Sequence, residues 1–174
     1  LMEHETIRMT LGDGCGKSDT MTLVLNGKCE AGWTALGLAS QGNLSNIIEL
    51  LFNWHNQLIK NQNDNNEEEE SDDDQSETPL SIYVNQKCTR TNGRALHLLA
   101  RFGSIKTIEK FFFLAQRNEK TKVNLTGVDT YGLTPLHVSF TSGNFNLYKY
   151  LVNNKSANDV QSLLSIKDKR GDTP

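Results

Sequence analysis

Two histidines share a local setting. His97 ends Arg-Ala-Leu-His and His137 ends Thr-Pro-Leu-His. An imidazole can serve as a base near neutral pH or as a metal ligand. Either task needs company, and the sequence supplies none. No Glu-x-x-His, no carboxylate pair placed for acid–base work and no nucleophile elbow is present. His4 and His55 lack partners at ligand spacing. The three cysteines, Cys15, Cys29 and Cys88, are odd in number and far apart. They suit neither a disulfide framework nor a CxxC metal pair. Free thiols in a reducing compartment are expected, so the sequence points to an intracellular protein, cytoplasmic or nuclear. The sequons at Asn43, Asn124 and Asn154 would then be incidental. Cys15 lies two residues from Lys17, which could lower a thiol pKa; the plainer reading is an exposed, ordinary thiol.

Residues 12–18, GDGCGKS, come near the phosphate-cradling pattern G-x-x-x-x-G-K-[ST]. In that loop successive amides wrap a phosphate and the lysine meets its charge. Here the first glycine falls one residue late, and Leu11 stands at the required place. A ring of amides shaped for phosphate does not absorb a missing residue. A glycine-rich turn is the better reading. Nucleotide binding would require an affinity that Lys17→Ala abolishes.

The elements that hold the two histidines repeat. Residues 131–152 read YGLTPLHVSFTSGNFNLYKYLV, 92–112 read NGRALHLLARFGSIKTIEKFF, and 32–52 read GWTALGLASQGNLSNIIELLF. Residues 170–174, RGDTP, open a fourth copy. Each copy has a turn glycine or asparagine, a short helix, a second turn and an apolar-striped helix. Internal periods of this size mark solenoids. The pattern resembles the ankyrin repeat, of usual form G-x-T-P-L-H-x-A-A-x-x-G-H-x-x-V-V-x-x-L-L, over about two thirds of the chain. The resemblance implies an all-α solenoid of stacked helix-turn-helix units. It also gives His97 and His137 a structural role, tying a helix start to its loop.

In register, residues 1–28 are an irregular N-terminal region or cap, with β-prone stretches at 7–11 and 21–25 that could form a hairpin. Repeat one spans 29–60, repeat two 87–127 and repeat three 128–166. Residues 167–174 start a truncated fourth. Both ends look cut from a longer chain. The first-layer helices are expected over 34–42, 94–102 and 134–142, and the second-layer helices over 44–60, 105–116 and 145–153. Asn158 would cap a short extra helix over 159–164. The stripe of the first long helix is Leu44, Ile47, Ile48, Leu51, Trp54 and Leu58; that of the second is Ile105, Ile108, Phe111, Phe112 and Ala115. Asn43 stands where a turn needs positive φ. Gly37 replaces the first histidine. Arg94 and Ala95 replace Thr and Pro in the second unit, so a hydroxyl-to-imidazole bond there should be absent or replaced. The turn positions 92, 132 and 171 are 40 and 39 residues apart, against about 33 for one ankyrin unit.

Residues 61–86 form an acidic insertion between repeats one and two. Nine acids fall within 61–80, with no Lys or Arg. Such a segment cannot bury enough apolar surface to offset its ordering entropy, so disorder is expected. Without those nine acids, the 18 basic residues face 12 acidic ones, a net +6 beneath the formal −3. The segment reads as a solubilising linker or as a pseudo-ligand shielding a basic groove. Ser71, before three aspartates, and Thr78, before Pro79, are candidate phosphorylation sites.

The function expected is protein–protein recognition, as a scaffold or adaptor without catalysis, cofactor or metal. The alternative is the regulatory ankyrin portion of a larger enzyme, channel or transcription regulator. The partner would be another protein and the chain a monomer. No apolar run approaches the ~18 residues of a membrane span. The spread-out basic residues, with no Arg-rich helix, argue against nucleic acid. By the resemblance, partner-binding positions on hairpin tips and the inner helix face are Trp33, Gln41, Arg90, Thr91, Arg101, Phe102, Thr130, Tyr131, Thr141 and Ser142. Trp33, Arg101, Phe102 and Tyr131 stand out, since aromatics and arginine dominate interface energetics.

Overall fold

The structure is a computed structural model and describes residues 24–63, 78–117 and 120–174. Its helices are α1 (Ala35–Gln41), α2 (Ser45–Asn63), α3 (Pro79–Val84), α4 (Ala95–Phe102), α5 (Ile105–Gln116), α6 (Pro135–Thr141), α7 (Asn146–Asn154) and α8 (Ala157–Leu164). Among the described residues no strand forms; Lys28 and Thr34 share one isolated bridge. The described chain is therefore all-helical. No described helix is long and apolar enough to cross a membrane.

Side chains start most of these helices. Thr34 accepts from the Gly37 N–H, Thr78 from Ser81, Ser104 from Thr107, Thr134 from His137 and Ser156 from Asp159. Each bond satisfies one of the amides that a helix N-terminus leaves without an internal partner. Pro135 at the first position of α6 has no N–H to leave unpaired.

The helices fall in two layers. The short α1, α4 and α6 pack side by side, and the longer α2, α5 and α7 pack side by side behind them. The core lies between the layers. Leu36, Leu96, Leu99 and Leu136 reach it from the first, and Ile48, Phe52, Ile108, Phe111, Leu147 and Leu151 from the second. Rings carry packing across the second layer. Phe52 meets Phe111 edge-on at 5.7 Å, and Phe112 stacks on Tyr150 at 4.5 Å.

The turns before the first-layer helices are copies of one another. Cys29 N–H donates to Trp33 O at 3.0 Å and Gly32 N–H to Cys29 O at 2.7 Å. Asp129 with Leu133 and Gly132, and Asp168 with Asp172 and Gly171, repeat the pattern at 2.8–3.1 Å. The second turn is one residue longer, closed from Cys88 to Gly93. Gly32, Asn92, Gly132 and Gly171 all have φ between 54° and 89°. Gly132 has a further constraint, since a Cβ there would lie 2.8 Å from the Lys169 backbone nitrogen.

Four expectations need correction. The insertion is not unstructured over all of 61–86: α2 runs on to Asn63, and α3 buries Leu80, Tyr83 and Val84. These three apolar residues, preceded by a Thr-Pro cap, supply the burial that the acids before them lack. Leu44 and Ile47 are 51% and 43% exposed, whereas Phe52 and His55 are buried. The buried face of α2 is Ile48, Leu51, Phe52, His55 and Leu58, set by its packing against α5 and α3. Residues 24–26 are helical rather than extended, with Leu25 buried. The cap of α8 is Ser156, not Asn158, so the helix begins two residues early. The glycine loop at 12–18, Cys15, His4 and Ser71 lie outside the described residues.

Candidate protein-recognition surface

His97 and His137 are both occupied. Each Nδ1 accepts a backbone N–H at its own helix start, from Arg94 at 3.1 Å and from Thr134 at 3.2 Å. Each Nε2 then carries the proton and donates to the next turn, to Leu133 O and to Asp172 O, both at 3.1 Å. Leu133 and Asp172 each follow the turn glycine. The same bond thus joins unit two to unit three and unit three to the turn that follows. The two rings are buried. Burial pushes the His97 pKa below the ordinary histidine range, and the Leu133 carbonyl opposes this only in part. Among the described residues no group of His, Cys, Asp and Glu could hold a metal. The further bond in unit three, between Thr134 Oγ1 and His137 Nδ1 at 2.8 Å, has no counterpart in unit two, where the Arg94 backbone amide serves alone.

Unit one has Gly37 at this position, and Trp33 uses the space. A Cβ on Gly37 would lie 3.0 Å from Trp33 Cε3, and one on Gly93 would lie 2.8 Å from Trp33 Cη2. The indole therefore bridges two glycines in successive units and is half-buried. Expected as a contact for a partner, Trp33 is first of all a packing residue between units.

The other nine positions fall in two rows. Arg90, Thr91, Thr130 and Tyr131 lie on the turns, and Tyr131 is 70% exposed. The turns are laced together: Thr89 N–H donates to Gly32 O at 3.1 Å, Thr130 N–H to Thr91 O at 2.8 Å, and Lys169 Nζ to Thr130 O. Asp129 Oδ1 accepts from the Tyr131 and Leu133 amides at 2.8 and 2.9 Å, and this fixes the tip that carries Tyr131. Gln41, Arg101, Phe102 and Thr141 end α1, α4 and α6, and Ser142 caps the last. Because these helices are neighbours, their C-terminal ends form the second row. A seven-residue helix separates the rows by about 10 Å.

Within the second row Arg101 lies 5.3 Å above the Phe102 ring, which is 45% exposed. Asn43 Oδ1 accepts from Ser104 N–H at 2.9 Å, and Asn144 and Asn146 both donate to Gly103 O at 3.0 Å. The inter-helix turns are thus fixed to one another as the outer ones are. Thr141 and Ser142 have turned their hydroxyls back onto helix carbonyls, to His137 O and Val138 O. They offer a partner less than their residue types suggest. Thr78, a phosphorylation candidate, caps α3 and bonds Ser81 Oγ at 2.8 Å.

The two most exposed hydrophobics that the sequence does not reveal are Phe113 and Ile82. They sit on the open faces of α5 and α3. Phe113 belongs to a continuous apolar run, Phe111 to Leu114, in which period alone does not say which ring turns outward. Arg94 was also missed. It stands where the repeat pattern has threonine, and the residue is only 7% exposed.

The surface is a pair of rows carrying Arg and aromatic groups. No protein-family model matches the chain, and no curated protein matches it.

Proposed function

We propose that this chain is an ankyrin-type solenoid module that recognises another protein through its hairpin tips and inner helix ends, without catalysis of its own. One observation supports the reading above the others. The bond from histidine Nε2 to the carbonyl after the next turn glycine recurs at the same 3.1 Å in successive units. A chain that repeats the tie between units, and not merely its helices, is built as an array. In such an array the turns and helix ends are the surfaces left free to vary. Arg101, Phe102 and Tyr131 supply the anchors there, because arginine and aromatic groups give most energy per contact.

The test separates binding from folding. A partner recovered by affinity capture and then purified is titrated calorimetrically against the wild type and against Arg101→Ala/Phe102→Ala/Tyr131→Ala. All three side chains are exposed, so the variant should melt within about 2 °C of the wild type. Its affinity should fall by about a hundredfold or more. Unchanged affinity would remove these residues from the binding surface.

A further inference from the structure

The units of this chain exceed the usual period, and the excess is not scattered. It forms α3, the segment 120–126 and α8, each placed before a turn. The first two are fastened together. Asn85 Nδ2 donates to Lys122 O at 2.7 Å, Asn85 Oδ1 accepts from Asn124 N–H at 2.9 Å, and Lys122 N–H donates to Ser81 Oγ at 2.9 Å. Between them runs a groove of about 920 Å3. Its walls include Lys87, Arg94, Lys122 and Lys155, against one acid, Asp159. None of its lining residues is among the ten tip and helix-end positions, so it is a second surface.

Arg94 makes the groove more than a basic patch. The residue is 7% exposed, and its Nε and Nη1 find no hydrogen-bond acceptor among the described residues. Its guanidinium lies against Gly127, where a Cβ would come within 2.4 Å of the Arg94 Cζ. A buried cation without an anion is costly, and each such group calls for an explanation. Among the described residues, Lys87, Lys122 and Lys155 are likewise without an ion pair. Gln86 adds the opposite need: its Oε1 is buried and lacks a donor. A fully ionised phosphoryl group would satisfy the cations and bring no donor for Gln86. A peptide brings both a carboxylate for Arg94 and an N–H for Gln86. Exposed Ile82 and half-buried Val123 and Leu125 give an apolar rim for its other side chains.

We propose that this groove binds an acidic, extended peptide segment of a partner protein, with a carboxylate on Arg94 and Lys87, Lys122 and Lys155 surrounding it. Charge-assisted bonds to a buried guanidinium are among the stronger ones available.

The probe is a short fluorescent peptide of alternating Glu and Ala, titrated by anisotropy into the whole chain. Arg94→Gln should abolish binding. Because that variant disturbs a buried site, the exposed pair Lys122→Gln/Lys155→Gln carries the test and should weaken binding about tenfold or more while still folding. The triple variant at Arg101, Phe102 and Tyr131 should bind the peptide as the wild type does. Equal affinity in the lysine variant would overturn the proposal. So would displacement of the peptide by an equal concentration of inorganic phosphate, which would make this a phosphate site. Binding seen only after the acids of residues 64–77 are changed to amides would overturn it too, since the chain itself would then fill the groove.

Discussion

At the scale of single residues, buried polar groups decide more than the exposed ones. His97 holds the Arg94 amide with one nitrogen and the Leu133 carbonyl with the other. His97→Ala would leave that amide unpaired inside the protein and should cost about 2–3 kcal/mol in urea denaturation. His55 is buried, stacks on Tyr83 at 4.6 Å, and its Nδ1 finds no partner among the described residues. Burial lowers its pKa, with the Pro79 carbonyl opposing, as burial lowers that of His97. The unfolded chain then binds protons that the folded chain refuses. The stability these histidines contribute is present above about pH 6.5 and is lost as pH falls from there toward their depressed folded values. Each can steepen the loss by at most about 1.4 kcal/mol per pH unit. Melting curves between pH 8 and 5 should show the decline, and His55→Phe should flatten it. An unchanged slope would mean that His55 is hydrated in the folded protein. The sequence could not reveal this role, because His55 sits in no motif. Its burial comes from α3, which arrives from beyond the acidic run.

At the scale of elements, α3 is the least foreseeable and α5 the most. α5 was legible to the residue, Ile105–Gln116, because Gly103 and Ser104 mark its start and Ile105, Ile108, Phe111, Phe112 and Ala115 keep one face. α3 was hidden because its six residues follow a segment whose composition argues for disorder. Yet Thr78 caps it, Pro79 starts it, and Tyr83 meets Phe52 edge-on at 6.2 Å. Removing residues 64–77 should leave the melting temperature within about 2 °C of the wild type, since acidic low-complexity sequence brings little burial. Removing 79–84 as well should destabilise strongly. Leu80→Ala alone should cost about 2–4 kcal/mol, by lost burial and the cavity it leaves. Equal melting temperatures for the two deletions would show that α3 adds nothing to the core.

At the scale of the whole molecule, the units hold together by ties that recur and by one that does not. Units two and three each reach forward through a histidine; unit one reaches forward through Trp33, which covers Gly37 and Gly93. Trp33→Ala should therefore cost about 1.5–3 kcal/mol, as a half-buried indole lost between two packed layers. The order of the short and long helices was legible from the turn glycines and the apolar stripes. The ties were not, because a hydrogen bond between residues 97 and 133 leaves no local pattern. The groove beside Arg94 stayed unread for the same reason, since three separate segments build it. The most direct check on the proposed array is the hydrogen bonding of His97 and His137. Nitrogen-15 NMR of the imidazoles should find a proton on Nε2 of both rings, bonded and slow to exchange. A proton on Nδ1, or an Nε2 proton that exchanges freely with water, would contradict the tie between units on which the proposed array depends.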